Sequence, residues 1–137
     1  MEEPTWVRED VVLAIHRRQL AEHGGCDGVR DPGLLASALA RPRNMLAYAS
    51  QLPDLAAFAA SYAFAIVRNH PFVDGNKRTA LIVARSFLKL NGVDLIASQE
   101  EKYRLVMDLA EGLVSEEEFA SWVRSHLHPL EYQGHGP

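Results

Sequence analysis

Apolar residues recur every three or four positions along almost the whole chain, which is the spacing of one face of an α-helix. The predicted helices cover about Arg8–Glu22, a short segment from Pro32 that ends before Pro42, Leu55–Asn69, about Gly75–Asn91, about Gln99–Glu111 and about Glu116–Leu127. The alternation typical of strands is missing, apart from a small two-stranded flap predicted within the irregular stretch Arg41–Pro53. We therefore predict an all-α fold.

The segment Leu55–Asn69 differs from the other predicted helices because it is apolar on every side. One of its faces carries Phe58, Tyr62 and Ile66, and another carries Leu55, Ala59 and Ala63. A helix without a polar face is usually buried at the centre of a bundle. The pattern thus predicts a compact helical bundle built around this helix.

Capping motifs support several of the predicted helix boundaries. Asp31–Pro32 combines an N-cap residue with proline at the first helical position. Ser98 with Glu101, and Ser115 with Glu118, each fit the Ser-x-x-Glu capping box. These motifs predict where the second helix and the last two helices begin.

Length and composition indicate one globular domain. The 137 residues fit a single domain over positions 1–128, followed by a flexible C-terminal tail over 129–137 that contains glycine and proline. The 14 basic and 18 acidic residues give a net charge of −4. Non-specific nucleic-acid binders and membrane-surface binders rely on positive charge. We therefore expect no direct nucleic-acid partner and no membrane partner.

Cysteine usage and the N-terminal residues indicate a cytoplasmic location. Cys26 is the only cysteine, so an internal disulfide is impossible. The acidic start Met1–Pro4 is not followed by an apolar stretch, so we expect no signal peptide. The longest apolar run, Leu55–Val67, is too short to cross a bilayer.

The segment His70–Arg78, between the apolar helix and the next one, contains the residues best suited to chemistry. Pro71 disfavours helical geometry at the preceding residue, so the apolar helix is expected to end there. Gly75 and Asn76 then begin a new helix. Free backbone N–H groups and the positive end of the helix dipole meet at such a start, which favours an anion.

The side chains of this segment fit phosphate chemistry. Lys77 and Arg78 place two cations at the wrong end of a helix dipole, and a bound phosphate would relieve that repulsion. Asp74 offers a carboxylate for Mg²⁺ bound to phosphate. His70 is the one side chain here that readily takes a proton near neutral pH. Together they suit phosphoryl or nucleotidyl transfer.

Each residue also has a structural explanation. His70 is at a helix end, Asp74 suits an N-cap, and Lys77 with Arg78 could form a solvated face. Phe72 is best explained as a core anchor that fixes the loop. From spacing alone, phosphate chemistry and a purely structural loop both remain open.

The segment His70–Arg78 resembles the signature loop of the Fic/Doc superfamily, His-x-Phe-x-Asp/Glu-Gly/Ala-Asn-Gly/Lys-Arg, and fills every position of it. Gly24-Gly25, the stretch Gly28–Leu35 and Thr79-Ala80-Leu81 resemble the death-on-curing (Doc) branch. The resemblance covers about residues 5–127, nearly the whole chain.

This resemblance implies a compact helical Fic fold and an enzyme that transfers part of ATP onto a protein hydroxyl. His70 matches the general base and Asp74 the acid that binds Mg²⁺ through phosphate. Gly75, Asn76, Lys77 and Arg78 match the phosphate-binding turn, with Arg78 also counted among the catalytic residues. Arg41–Pro53 is the position of a flap that aligns the target peptide by strand-like pairing.

Lys77 favours the Doc branch. For this branch the resemblance implies a kinase in which the γ-phosphate of the bound ATP faces the acceptor. The implied target is translation elongation factor Tu, and the implied outcome is growth arrest. AMP-transferring members usually have Gly at this position, and Pro71 and Gly75 look more like those members. AMP transfer is therefore the alternative activity, and a non-catalytic helical interaction module is a second alternative.

Regulation is expected to come from a partner. The self-inhibiting motif Ser/Thr-x-x-x-Glu-Gly/Asn of many Fic proteins has no match, and the nearest segment, Thr5–Asp10, ends in the wrong residue. The resemblance therefore implies a type II toxin–antitoxin system with a small antitoxin, whose disordered tail folds into a groove on the toxin.

Overall fold

The computed structural model describes residues 3–130 and is helical throughout most of this range. Its helices are α1 (Glu9–His23), α2 (Pro32–Tyr48), α3 (Leu55–Asn69), α4 (Asn76–Leu90), α5 (Gln99–Glu111) and α6 (Glu116–Ser125). Two short strands, β1 (Val93–Leu95) and β2 (Leu127–Pro129), form an antiparallel pair. The predicted all-α fold is confirmed.

Helix α3 lies at the centre of the bundle, as predicted. It packs against α2, α4, α5 and α6, and α1 covers α4. Phe58 and Ile66 are fully buried, and Tyr62 is 1% exposed. Asp54 begins α3 by accepting a hydrogen bond from the backbone N–H of Ala57. Burial of an all-apolar helix fixes the position of its C-terminal end, where the candidate site begins.

The predicted break before Pro42 and the predicted flap over Arg41–Pro53 are both wrong. Helix α2 continues through Pro42 to Tyr48, and the structure assigns no strand to this stretch. A proline inside a helix removes one backbone hydrogen bond and costs about 3 kcal/mol. Tertiary contacts offset that loss: Pro42 is buried, and the Arg41 guanidinium makes two hydrogen bonds to the Glu116 carboxylate and one to the hydroxyl of Ser61.

The two strands are absent from the sequence prediction because each has only three residues, too few for a visible alternation.

The predicted tail starts at Pro129, but this residue ends β2, and the N–H of Leu130 donates to the carbonyl of Gly92. The rest of that tail, 131–137, lies outside the described residues. Within residues 3–130, no helix combines the length and apolar character that a bilayer crossing demands.

One of the two predicted capping boxes is complete. Ser115 and Glu118 exchange both hydrogen bonds at the start of α6. At the start of α5, Ser98 accepts from the N–H of Glu101, but the Glu101 carboxylate accepts from the indole N–H of Trp122 at 2.7 Å. The second half of that predicted box is therefore replaced by a contact between α5 and α6.

Candidate active site

The segment between α3 and α4 bends sharply at two residues with positive φ. His70 caps the C-terminus of α3 at φ 51° and ψ 56°, with its N–H donating to the carbonyl of Ile66. Gly75 precedes α4 at φ 77°. Left-handed geometry is ordinary for glycine and costs about 1–2 kcal/mol for other residues. A histidine in this conformation at a helix end indicates that the surrounding contacts hold it there.

A turn before α2 pairs with the middle of this segment. Val29 forms an isolated antiparallel bridge with Phe72, and the N–H of Val73 donates to the carbonyl of Gly28 at 3.0 Å. The Phe72 side chain is fully buried. The predicted anchor role of Phe72 is confirmed, and the loop backbone is fixed from one side by a distant part of the chain.

Arg30 holds the end of α3, a role that the sequence pattern does not predict. Its Nε donates to the carbonyl of His70 at 2.7 Å, and its Nη2 donates to the carbonyl of Asn69 at 2.8 Å. The last carbonyls of a helix lack partners within the helix, so a guanidinium here satisfies them and complements the negative helix end. Arg30 thereby fixes the backbone that carries the His70 imidazole.

The Asn76 side chain lies inside the loop, 4% exposed. Its Oδ1 accepts from the N–H of Phe72 and its Nδ2 donates to the carbonyl of Phe72, both at 3.0 Å. The amide is therefore occupied on both sides by the loop backbone. The backbone N–H of Asn76, at the start of α4, is the group of this residue best placed for the phosphate contact predicted from the resemblance.

His16 on α1 contacts the other end of the loop, although the sequence pattern does not predict it as a site residue. Its Nε2 lies 2.8 Å from the carbonyl oxygen of Asp74, and its ring stacks on Phe72 with the ring centres 3.8 Å apart. The imidazole is 2% exposed. The only sequence signal was its spacing of four residues from Val12, which places both side chains on the buried face of α1.

The Asp74 carboxylate is oriented by two backbone donors. Oδ1 accepts from the N–H of Gly75 at 2.9 Å, and Oδ2 accepts from the N–H of Cys26 at 3.3 Å. Gly25 makes this approach possible, because a Cβ on that residue would lie 2.8 Å from Asp74 Oδ2. Each carboxylate oxygen can accept a further hydrogen bond or bind a cation, and Asp74 is exposed.

Helix α4 begins with two exposed cations and no acidic residue. No side chain caps its first turn, and in residues 3–130 neither Lys77 nor Arg78 forms an ion pair. The Arg78 guanidinium lies 5.9 Å from the ring centre of Tyr103. The backbone N–H groups of this turn and the two cations form a concentrated positive region, which suits a polyphosphate.

All of the predicted site residues line one cavity of ≈ 570 Å³. Its wall contains His70, Asp74, Gly75, Asn76, Lys77 and Arg78, together with Val67, Tyr103, Met107 and Ala110. The volume lies within the usual range for small-molecule sites. The mixture of one polar, cationic wall and one apolar wall from α5 fits a nucleotide, with its phosphates toward α4.

The donors present suit Mg²⁺ only when phosphate supplies other ligands. Within residues 3–130, no three metal-binding side chains of the histidine, cysteine or carboxylate type lie close enough together to hold an ion. Among residues 3–130, Asp74 is the one carboxylate that lines the cavity. Mg²⁺ in nucleotide sites is held by one or two carboxylates plus phosphate oxygens and water, which matches this arrangement.

Comparison with known proteins agrees with the geometry. Residues 6–88 match the model of the Fic/DOC family. The chain is 34% identical over 124 residues to the protein named "Protein kinase doc" of Escherichia phage P1, covering 90% of this chain and 94% of that protein. It is 41% identical over 109 residues to "Toxin Doc" of Mycolicibacterium smegmatis, covering 80% of this chain and 76% of that protein. The chain belongs to the Fic/DOC family.

Proposed function

We propose that the protein is the toxin of a toxin–antitoxin system and transfers the γ-phosphate of ATP to a hydroxyl of a protein target. The observation that carries this proposal is the cavity in which His70 and Asp74 meet the cations Lys77 and Arg78 at the start of α4. The names of the two relatives, a protein kinase and a toxin, support it. Each group in the cavity then has a defined task.

The first turn of α4 binds the triphosphate. Backbone N–H groups and the Lys77 and Arg78 side chains neutralise phosphate oxygens, and this neutralisation is strongest as charge builds during transfer. Asp74 holds Mg²⁺ together with the phosphates, and the ion supplies further charge neutralisation when bound. Tyr103 and Met107 contribute the less polar wall, against which the base and ribose lie.

His70 acts as the general base. Its side chain lines the cavity and is exposed, so a hydroxyl on another protein can reach it. The acceptor oxygen forms a bond to the γ-phosphorus while its proton moves to the imidazole, and the bond from the γ-phosphorus to the bridging oxygen breaks to release ADP. The contacts of Arg30 keep His70 at the helix end, where the acceptor enters.

Lys77 favours γ-phosphate transfer over AMP transfer. Its side chain adds volume and charge at the first turn, at the position where the AMP-transferring members usually have Gly, and this hinders close backbone contact with an α-phosphate. Gly75, however, leaves the position just before α4, two residues before Lys77, without a Cβ. AMP transfer is therefore the second candidate activity.

Separately labelled ATP distinguishes the two activities. The purified protein is incubated with Mg²⁺ and ATP labelled at the α- or γ-phosphate, using purified elongation factor Tu, the proposed target, and a cell lysate. Label on protein from the γ-position alone supports the kinase, and label from the α-position contradicts it. His70→Ala should slow transfer by roughly two to four orders of magnitude. His23→Ala, at an exposed position on α1, is the matched control.

Growth assays test the toxin role and the non-catalytic alternative. Expression of the wild-type chain should arrest growth, and co-expression of a small antitoxin from the neighbouring reading frame should restore it. The proposed antitoxin has a disordered tail that folds on the toxin. If His70→Ala arrests growth as strongly as the wild type, proton transfer by His70 is not the cause, and the helical interaction module becomes the better explanation.

A further inference from the structure

We infer that His16 is a positioning residue, which orients the Asp74–Gly75 peptide and through it the Asp74 carboxylate. The kinetic part of this inference rests on the proposed function. The structural part stands on one contact, the 2.8 Å approach of His16 Nε2 to the Asp74 carbonyl oxygen. A carbonyl oxygen only accepts, so Nε2 carries the proton and donates it.

The effect of that contact follows from peptide geometry. The carbonyl of Asp74 and the N–H of Gly75 belong to one rigid trans peptide and point in opposite directions. Holding the carbonyl toward His16 therefore aims the N–H of Gly75 the other way. That N–H donates to Asp74 Oδ1 at 2.9 Å and so fixes one oxygen of the carboxylate.

The same peptide determines how α4 begins. Gly75 has φ 77°, a conformation that depends on the orientation of the peptide before it. A rotation of this peptide would move the Asp74 carboxylate and the first free N–H groups of α4 together. His16 thus acts on the metal-binding acid and on the anion-binding turn through one hydrogen bond, although it does not line the cavity.

His16 is held rigidly enough to do this. Its ring is 2% exposed and lies nearly parallel to the Phe72 ring, with 9° between the planes. The backbone N–H and carbonyl of Phe72 are in turn held by Oδ1 and Nδ2 of Asn76. A Cβ on Gly75 would lie 3.8 Å from His16 Nε2, so the ring is in close contact with the peptide that it orients.

The alternative is that His16 only fills space beside Phe72. Positioning of the peptide and filling of space can be distinguished with two variants, one that keeps the hydrogen-bond donor and one that keeps the aromatic ring. In His16→Gln, the amide nitrogen reaches the position of Nε2 and keeps the donor without the ring. In His16→Phe, the ring and its stacking on Phe72 remain but the donor is lost. His23→Gln, on the exposed end of the same helix, controls for loss of a histidine.

Two measurements are made on each purified variant. The first is steady-state phosphate transfer with varied Mg²⁺·ATP, since loss of a contact that orients a metal ligand typically weakens metal binding by 10- to 100-fold. We expect His16→Phe to raise the KM for Mg²⁺·ATP by about tenfold or more and His16→Gln to remain close to wild type. The second is the amide NMR signal of Gly75, expected to move in His16→Phe but not in His23→Gln.

Each result for the His16 variants either supports or overturns the inference. If His16→Phe keeps the wild-type KM and Gly75 signal, or if His16→Gln is as impaired as His16→Phe, the inference is wrong. If His16→Phe does not fold, His16→Asn replaces it, because its shorter amide cannot reach Asp74, and wild-type behaviour of that variant overturns the inference. If the wild-type chain transfers no phosphate, the proposed function fails, whereas the Gly75 signal still tests His16.

Discussion

Replacing Asn76 with alanine tests whether this residue of the signature loop is structural. Its amide makes two hydrogen bonds to the backbone of Phe72, both at 3.0 Å and both buried. Alanine would leave a buried N–H and a buried carbonyl without partners, each costing about 1–3 kcal/mol. We therefore expect Asn76→Ala to lower the free energy of unfolding by about 2–6 kcal/mol, a large part of the roughly 5–15 kcal/mol of an ordinary domain.

The adjacent residue provides the matched control. Lys77 is exposed and forms no ion pair within residues 3–130, and its charge lies at the unfavourable end of the α4 dipole. Lys77→Ala should therefore leave the free energy of unfolding unchanged or raise it by about 0.3–1 kcal/mol. The same substitution should weaken ATP binding, because it removes a cation from the cavity wall.

Urea unfolding followed by tryptophan fluorescence measures both variants. With a slope of about 1–3 kcal/mol per molar urea, Asn76→Ala should lower the unfolding midpoint by about 1 M or more. Lys77→Ala should unfold at or slightly above the wild-type midpoint. A wild-type midpoint for Asn76→Ala would refute the assignment of its amide to the loop backbone. An equal fall in the unfolding midpoint of both variants would refute the assignment of a structural role to Asn76 but not to Lys77.

Three further predictions concern contacts around the core and the loop. The Arg85 guanidinium donates to the Asp94 carboxylate and holds its pKa below the ordinary value of 3.8. This ion pair stabilises the fold at higher pH and is lost as pH falls through the lowered pKa of Asp94. Asp94→Asn should therefore make the melting temperature fall less steeply below about pH 4, and a melting temperature with the wild-type pH dependence would contradict this. Tyr62→Phe removes the acceptor of the buried Val7 N–H and should lower the free energy of unfolding by about 1–3 kcal/mol in urea melts, whereas a neutral result would mean that the N–H finds another partner. Arg30→Ala frees the carbonyls at the end of α3 and should lower kcat for phosphate transfer by about 10- to 100-fold, with little change in the KM for ATP. A rise in KM at constant kcat would show that Arg30 acts on nucleotide binding instead.

Helix α3 and helix α2 show where sequence patterns succeed and fail. An apolar surface on every side of Leu55–Asn69 can only be satisfied by burial, so the pattern was sufficient to predict the central helix. The local rule that proline ends a helix was equally clear at Pro42, and it was wrong. Contacts of Arg41 with Ser61 and Glu116, which are 20 and 75 positions away, outweighed the local preference.

The predicted site residues meet in one cavity because they are consecutive. Nine positions that join two helices cannot be far apart, so the chain order of His70–Arg78 already brings an imidazole, a carboxylate and two cations together. That these side chains lie close together could therefore be predicted from their order in the chain. The geometry of the segment could not, because the contacts that orient each group come from outside it.

The sequence by itself determined the helical class, the buried central helix and the chemical content of one short loop, since these depend on local periodicity and adjacency. Only the tertiary structure decided that Asn76 turns inward and that His16 and Arg30 hold the two ends of the loop. Those contacts span 58 and 40 positions. A buried donor must find an acceptor, but local sequence does not say which one, because that depends on how the helices pack.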